Sequence, residues 1–359
     1  MTSIPVVRCP RHTGHAPQVE VQCGIAIPAF DTVARMDSIL TRLCDVSGIA
    51  LVDPDGDADV LAAAARVHSA DLVAFLAQAW DRAEPVAERP PLLFADTFAH
   101  RGLYAPNADR PKTAEQAGAL GRYCIDTITG IGPDTYDAVV GSVGTALSAA
   151  RYALQGAPLT VGLCRPPGHH VSFDAYGGGC YLNNAATTAQ WLRDNGAAKV
   201  AIVDLDFHHG NGSQAIFYDR ADVFYASLHG HPDRSYPYFT GYADETGTGQ
   251  GRGTTLNLPF DTAIAGPDYL RLAQEAVTTV AAFEPDFVVV SLGFDTYHSD
   301  PAGDALLHTE DYLPIGALFT GVAPGVVVLL EGGYSTDALG DNLHAWLAGA
   351  AGPGVLPLS

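Results

Sequence analysis

Basic side chains are scarce in this chain: 19 Lys and Arg stand against 40 Asp and Glu, a formal net charge of −21. Phosphate contacts need Lys and Arg, so this deficit argues against a nucleic-acid partner. The acid excess suits a small cationic ligand and suits a solvated acidic surface equally well. Cysteine is sparse as well. Cys9, Cys23, Cys44, Cys124, Cys164 and Cys180 contain no CxxC pair and are too few for a disulfide framework, so they read as reduced, mostly core residues. No stretch reaches the length of a membrane span, and MTSIPVVRCPRH lacks the apolar run of a signal peptide. A cytoplasmic location with no membrane partner is expected. Disorder is excluded by composition, because 47% of the residues are hydrophobic and only 16% are charged. No linker or internal repeat divides residues 1–359, which read as one domain.

The N-terminal part mixes elements. Residues 4–7 read as a short strand, and the rest of residues 1–30, with His12, His15 and Glu20, as a polar loop punctuated by Pro and Gly. A helix over 31–46 carries Met36, Ile39, Leu40 and Leu43 as its apolar stripe, and helical periodicity over 57–80 breaks near His68. His68, between Val67 and DLVAFL, reads as a packed or capping residue. Residues 84–118 read as a long irregular loop, of the kind that serves as a lid or a subunit contact. An Ala-rich helix is expected over 136–155. From residue 159 the pattern becomes strand, loop, helix: LTVGLC, VAIVDLDF, DVFYASLH, FVVVSLGFD and GVVVLLEGG are near-continuous apolar runs. Such runs belong to parallel strands covered on both faces. Helices over 184–195, 267–283 and 310–319 lie between several of them. The fold class is therefore α/β with an open sheet.

The stretch AIVDLDFHHGNG, residues 201–212, organises the rest. After an apolar strand, Asp204, Asp206 and His208 alternate, and residues two apart on an extended chain face one way. Two carboxylates and an imidazole converging at a strand end form a metal-ligand pattern. Taken alone, the pattern fits turn residues or helix caps just as well. Gly210 and Gly212 free the backbone to turn, and a helix is expected from Ser213. Other strand ends tip the balance. LTVGLC runs into RPPGHH, FVVVSLGFD into TYH, and VVVLLEGG into Tyr334. In open α/β sheets, ligands bind beyond the carboxyl ends of the strands.

Asp206, His208 and Asp295 are the expected metal ligands, three donors with open positions as in a catalytic site. Zinc is the first choice, with Fe(II) or Co(II) compatible. One of His169 and His170, held by the stiff Pro166-Pro167-Gly168 turn, is expected to be general base for the attacking water and then general acid for the leaving amine. Asp204 and Asn211 are close enough in sequence to orient the histidines. Tyr334, after two glycines, is either a packed aromatic or a donor to an oxyanion, and the surrounding pattern favours the donor.

RPPGHH, GGGCYLNN, DLDFHHGNG, SLGFD and EGGY resemble the metal-dependent deacetylases of the arginase–deacetylase superfamily. The stretch with Glu20, IPAF and Val67-His68 is similar to the bacterial acetylpolyamine amidohydrolases, as is HRGLYAPN through GPDTYDA. The resemblance spans nearly the whole chain. It implies a three-layer αβα sandwich with a mostly parallel sheet, one zinc ion and hydrolysis of acetamides. It makes His170 the base and acid, and His169 its electrostatic partner. Asp204 would support His169 and hold a structural potassium with Ser227 and the backbone of Asp206, His208 and Leu228. A second potassium would take carbonyls near Phe217, Arg220 and Val223. Asn211, in place of Asp, is similar to the polyamine and class II members. The resemblance also implies a homodimer.

By the same resemblance, Glu20, Gly178, Gly179, Tyr236 and Ala302 would meet a small cationic amide substrate, with Glu20 facing a distal ammonium. There are departures. Ala117 and Ile128 stand where acidic residues are usual, Gly179 where an aromatic walls the tunnel, and Ala302 where a larger apolar residue is usual. The expectation is a wider tunnel that accepts a bulkier amine or acyl group. Two other readings stay open. A two-manganese ureohydrolase such as an agmatinase would need a second set of bridging carboxylates, and SLGFDTYH offers only Asp295. A non-catalytic amine-binding protein would keep the fold and lose the chemistry.

Overall fold

A computed structural model describes residues 3–56, 59–83, 92–103 and 116–357. At its centre is an eight-stranded sheet in the order β4-β1-β5-β10-β9-β6-β7-β8, with every adjacent pair parallel. The strands are β1 Ile4–Arg8, β4 Ile49–Val52, β5 Leu159–Leu163, β6 Val200–Asp204, β7 Val223–Gly230, β8 Thr255–Phe260, β9 Phe287–Leu292 and β10 Gly325–Leu330. Alternation along them feeds two cores. Ala201, Val203, Val288, Val290, Val326 and Val328 pack on helices α1 (Ala34–Leu43), α8 (Gly266–Phe283), α9 (Thr309–Ala317) and α10 (Thr336–Ala350). Val200, Ile202, Val289, Val327 and Leu329 face the Ala-rich helices α5 (Thr135–Leu154) and α6 (Asn184–Asp194) on the other side. This is the αβα sandwich. A third core joins α2 (Val60–Ala64), α3 (Ala70–Gln78) and α4 (Gln116–Tyr123) to Tyr176 and Tyr181 beside the site.

Most expected elements lie where the pattern put them, with the following differences. The N-terminal polar loop contains a hairpin, β2 (Val19–Gln22) with β3 (Ile25–Pro28). Its turn residues Cys23 and Gly24 both have positive φ, 50° and 78°, the geometry of a tight two-residue hairpin turn. Strands β4 and β8, both sheet edges, and helix α10 are additional. Helix α7 (Asn211–Phe217) starts at Asn211, not Ser213, so Asn211 sits at the first turn beside His170. The irregular stretch expected over 84–118 falls largely outside the described residues, and its last three positions already belong to α4.

His68 is buried between α2 and α3, where Nδ1 meets Ser172 O at 2.8 Å and Nε2 accepts from Asn183 N at 2.9 Å. It is the packed residue that the sequence suggests, and its two hydrogen bonds make it a bridge as well. All six cysteines are free, four of them buried. No helix among the described residues is long and apolar enough to cross a membrane.

Candidate active site

Strands β5, β10, β9 and β6 are consecutive neighbours in the sheet, and their carboxyl ends deliver the chemistry to one place. β6 runs into Asp206 and His208, β9 into Asp295, β10 into Tyr334, and β5 into the turn bearing His169 and His170. Donor atoms of Asp206, His208 and Asp295 all lie within 4.8 Å of one another. His208 Nδ1 is 2.9 Å from Asp295 Oδ2 and 3.2 Å from Asp206 Oδ1. Backbone donors orient the carboxylates: Gly332 N donates to Asp206 Oδ2 at 2.8 Å, and Phe207 N to Asp295 Oδ1 at 2.8 Å. A Cβ on Gly293 would lie 2.1 Å from Asp206 Oδ2, so the SLGFD glycine leaves room for the ligand carboxylate.

The electrostatics call for positive charge at this point. Burial and the neighbouring Asp206 push Asp295 up to about 7. Burial opposes a charge on His208, yet its bonds to Asp206 and Asp295 hold the imidazole up to about 10. A proton on His208 offsets only part of the charge of the two buried carboxylates. A divalent cation answers the same need better, and one imidazole with two carboxylates is a donor set suited to Zn(II), Fe(II) or Co(II). The residues fit a metal ion. Among the described residues, the other candidate cluster is His169, Cys180 and Glu331. Its donors are already engaged: His169 Nδ1 by Asp204, and Glu331 by Gly168 N (2.7 Å), His169 N (3.3 Å) and Ser291 Oγ (2.9 Å).

The paired histidines lie 4.0 Å apart, ring centre to ring centre, in opposite surroundings. His169 Nδ1 meets Asp204 Oδ2 at 3.1 Å, and its Nε2 lies 3.8 Å from Asp206 Oδ1. Burial disfavours its charge, but Asp204 and Asp206 overrule that and hold it up to about 10. His170 Nδ1 meets Asn211 Oδ1 at 2.8 Å. Because Asn211 Oδ1 only accepts, the proton sits on Nδ1 and Nε2 is left as the acceptor. Burial, then the charges of His169 and His208, push His170 well below its ordinary value. Two adjacent imidazoles with pKa values driven apart are an acid–base pair in form.

Around this centre lies a cavity of about 720 Å³ whose lining includes Glu20, Gly178, Gly179, Tyr236, Ala302 and Tyr334. The structure thus brings every residue expected to touch substrate to one cavity. Tyr334 is anchored by its backbone N–H, 2.6 Å from Asp300 Oδ2, and its ring lies over the Arg35 guanidinium at 4.9 Å. Burial raises its phenol well above the ordinary value, so it stays a donor. Glu20 is half-buried and already accepts from Gln22 Nε2 (2.6 Å) and Phe30 N (3.3 Å).

Residues 31–350 match the family description of the histone deacetylase domain. The chain belongs to the histone deacetylase family. The acetylpolyamine amidohydrolase of Mycoplana ramosa is 38% identical over 335 residues, 93% of this chain and 96% of that protein. Acetylpolyamine amidohydrolase 1 of Pseudomonas aeruginosa is 38% identical over 342 residues, 95% and 97% of the two chains. The crystal structure of an acetylpolyamine aminohydrolase from Burkholderia pseudomallei superposes with a TM-score of 0.86 at 33% identity, covering 97% of this chain and 98% of that one.

Within this deacetylase fold, sequence reasoning missed a buried polar support. Arg35 and Arg165 are fully buried and share Asp31 Oδ1, at 2.7 and 2.8 Å. Arg35 Nε also donates to Gly333 O at 2.6 Å, fixing the loop that carries Tyr334. Glu331 ties the histidine turn to the sheet. Arg35 sits on an otherwise amphipathic helix and reads as a surface residue.

Proposed function

We propose that this chain hydrolyses N-acetyl amides of small amines, with one divalent ion, zinc before Fe(II) or Co(II), held by Asp206, His208 and Asp295. The observation that carries this reading is the cavity floor itself: two buried aspartates and a half-buried histidine, all metal donors, beside two histidines of opposed proton affinity. When bound there, the ion supplies Lewis acidity, polarising the amide carbonyl and making a nearby water more acidic. His170, neutral with Nε2 free, takes the water's proton and hands it to the departing amine nitrogen as the C–N bond breaks. Asn211 fixes its tautomer. His169, kept cationic against Asp204, offsets the negative charge that develops beside it. Tyr334 donates its phenolic proton in a hydrogen bond to the oxyanion formed when water adds to the carbonyl carbon.

Glu20 favours a cationic amine at the far end, in line with the acetylpolyamine substrates named for the relatives. The wall favours a broader one: a Cβ on Gly179 would meet nothing within 4 Å, and Ala302 presents a small side chain. The reading is a cationic amide that includes branched or ring-bearing amines. Potassium would lie beneath, near Asp204 and Ser227, which are register partners on β6 and β7, with Leu228 following. A second would use carbonyls of Phe217, Arg220 and Val223.

The test is product release from acetylpolyamines, an acetyl-lysine amide and bulkier acetylated amines, with and without chelator. Free amine that vanishes with chelator supports the reading. Binding without turnover contradicts it, and two metal ions per chain would revive the ureohydrolase. Turnover confined to slender acetylpolyamines removes the broader-tunnel part alone.

A further inference from the structure

One half-buried carboxylate beside the cavity carries more hydrogen bonds than any reactive role leaves room for. Asp126 Oδ1 accepts from Ile128 N (3.0 Å), Thr129 N (3.1 Å) and Thr129 Oγ1 (2.9 Å). Its Oδ2 accepts from Gly178 N (2.6 Å) and Tyr236 OH (2.7 Å). Five donors occupy essentially all the lone-pair sites of a carboxylate. Asp126 is therefore not free to bind a substrate ammonium.

What hangs on Oδ2 is the surround of His170. The Tyr236 ring stands at 90° to the His170 ring, 4.9 Å between centres. Gly178 backs onto the same imidazole so closely that a Cβ there would lie 2.0 Å from His170 Cδ2. Thr129 Oγ1, itself bonded to Asp126, accepts from Gly179 N at 2.9 Å and pins the other central residue of that turn. The histidine is held from outside by two groups, and a single oxygen atom holds both.

We infer that Asp126 is a positioning residue: it clamps Gly178 and Tyr236 against His170 and so fixes the direction of the general base. The inference rests on the proposed amide hydrolysis for its kinetic arm only. Asp126→Ala frees both walls, Asp126→Asn turns an amide N–H₂ toward at least one donor set, and Tyr236→Phe cuts one arm while keeping the ring.

The experiment compares these variants and the Asp126→Ala/Tyr236→Phe double variant as metal-loaded full-length protein. It uses a cationic and an uncharged acetyl amide, and amide hydrogen exchange over residues 176–180. The expected result is a kcat loss of about 10- to 100-fold for Asp126→Ala, the scale of a displaced catalytic group. KM should stay nearly constant for both amides. Losses should combine less than multiplicatively in the double variant, and exchange at 176–180 should rise. A KM increase confined to the cationic amide would overturn the inference by making Asp126 a substrate anchor. Unchanged kcat, or unchanged exchange, would overturn it as well. If Asp126→Ala does not fold, Asp126→Asn and Tyr236→Phe carry the same comparison. Should the wild type hydrolyse no amide, the proposed function fails, and the exchange measurement still decides the clamp.

Discussion

At the scale of single residues, the division of labour between two neighbouring imidazoles is set by what touches each Nδ1. A carboxylate on His169 favours the cation, and an amide oxygen on His170 favours the neutral form. His170→Ala should therefore lower kcat by about 10²- to 10⁴-fold, the usual worth of a positioned general base. Tyr334→Phe should cost about 10²- to 10³-fold in kcat with little change in KM, because its hydrogen bond is realised only as the oxyanion forms. Steady-state kinetics checks both, and a thermal melt matching the wild type confirms that the fold is intact. Residues of this kind were legible in advance. Asp204, Asp206 and His208 alternate at a strand end, and a Pro-Pro-Gly turn advertises the paired histidines. Glu331 and Arg35 were not legible, because they accept from or donate to distant backbone; nor was Asp126, because Gly178 N and Tyr236 OH lie far along the chain and its local spacing does not record them.

At the scale of elements, the turn Gly177–Cys180 offers a controlled comparison. Gly178 and Gly179 both have positive φ, 61° and 73°, so alanine strains the backbone at either position by roughly 1–2 kcal/mol. Only at position 178 does the new methyl meet His170; at 179 it enters open space. Gly178→Ala should abolish turnover, whereas Gly179→Ala should leave most of it. Equal losses in the two variants would mean that strain, not contact with His170, governs this turn. The same contrast explains which elements the sequence announced. Central strands such as β6 and β9 are covered on both faces and read as unbroken apolar runs. The edge strands β4 and β8 lack that signature: β4 is half-exposed throughout, and β8 alternates and contains Pro259, which an edge tolerates. Hairpin β2–β3 hides behind a Cys-Gly turn and exposed side chains, yet it carries Glu20 to the cavity.

For the whole molecule, stability and function respond to different charges. His15, His68 and His229 are buried, and burial pushes each down to about 4. Unfolded, each titrates near about 6.5. Between those values the unfolded chain binds protons that the native one refuses. Stability is therefore complete above about pH 6.5 and falls as pH drops toward 4, by about 1.4 kcal/mol per pH unit for each histidine. Denaturant titrations of the metal-loaded protein from pH 7.5 to 4.5 should show this slope, and His68→Gln should flatten it by one proton's share. A slope unchanged in His68→Gln would place the acid sensitivity elsewhere.

Hydrolysis in this molecule turns on a lone cation at the junction of β6 and β9. The direct measurement is metal content by plasma mass spectrometry on wild type and Asp295→Ala purified side by side, paired with acetyl-amine hydrolysis on the same samples. One transition-metal ion per wild-type chain, lost together with activity in the variant, is the predicted result. No stoichiometric ion in the wild type, or full activity in a metal-free variant, would contradict the account.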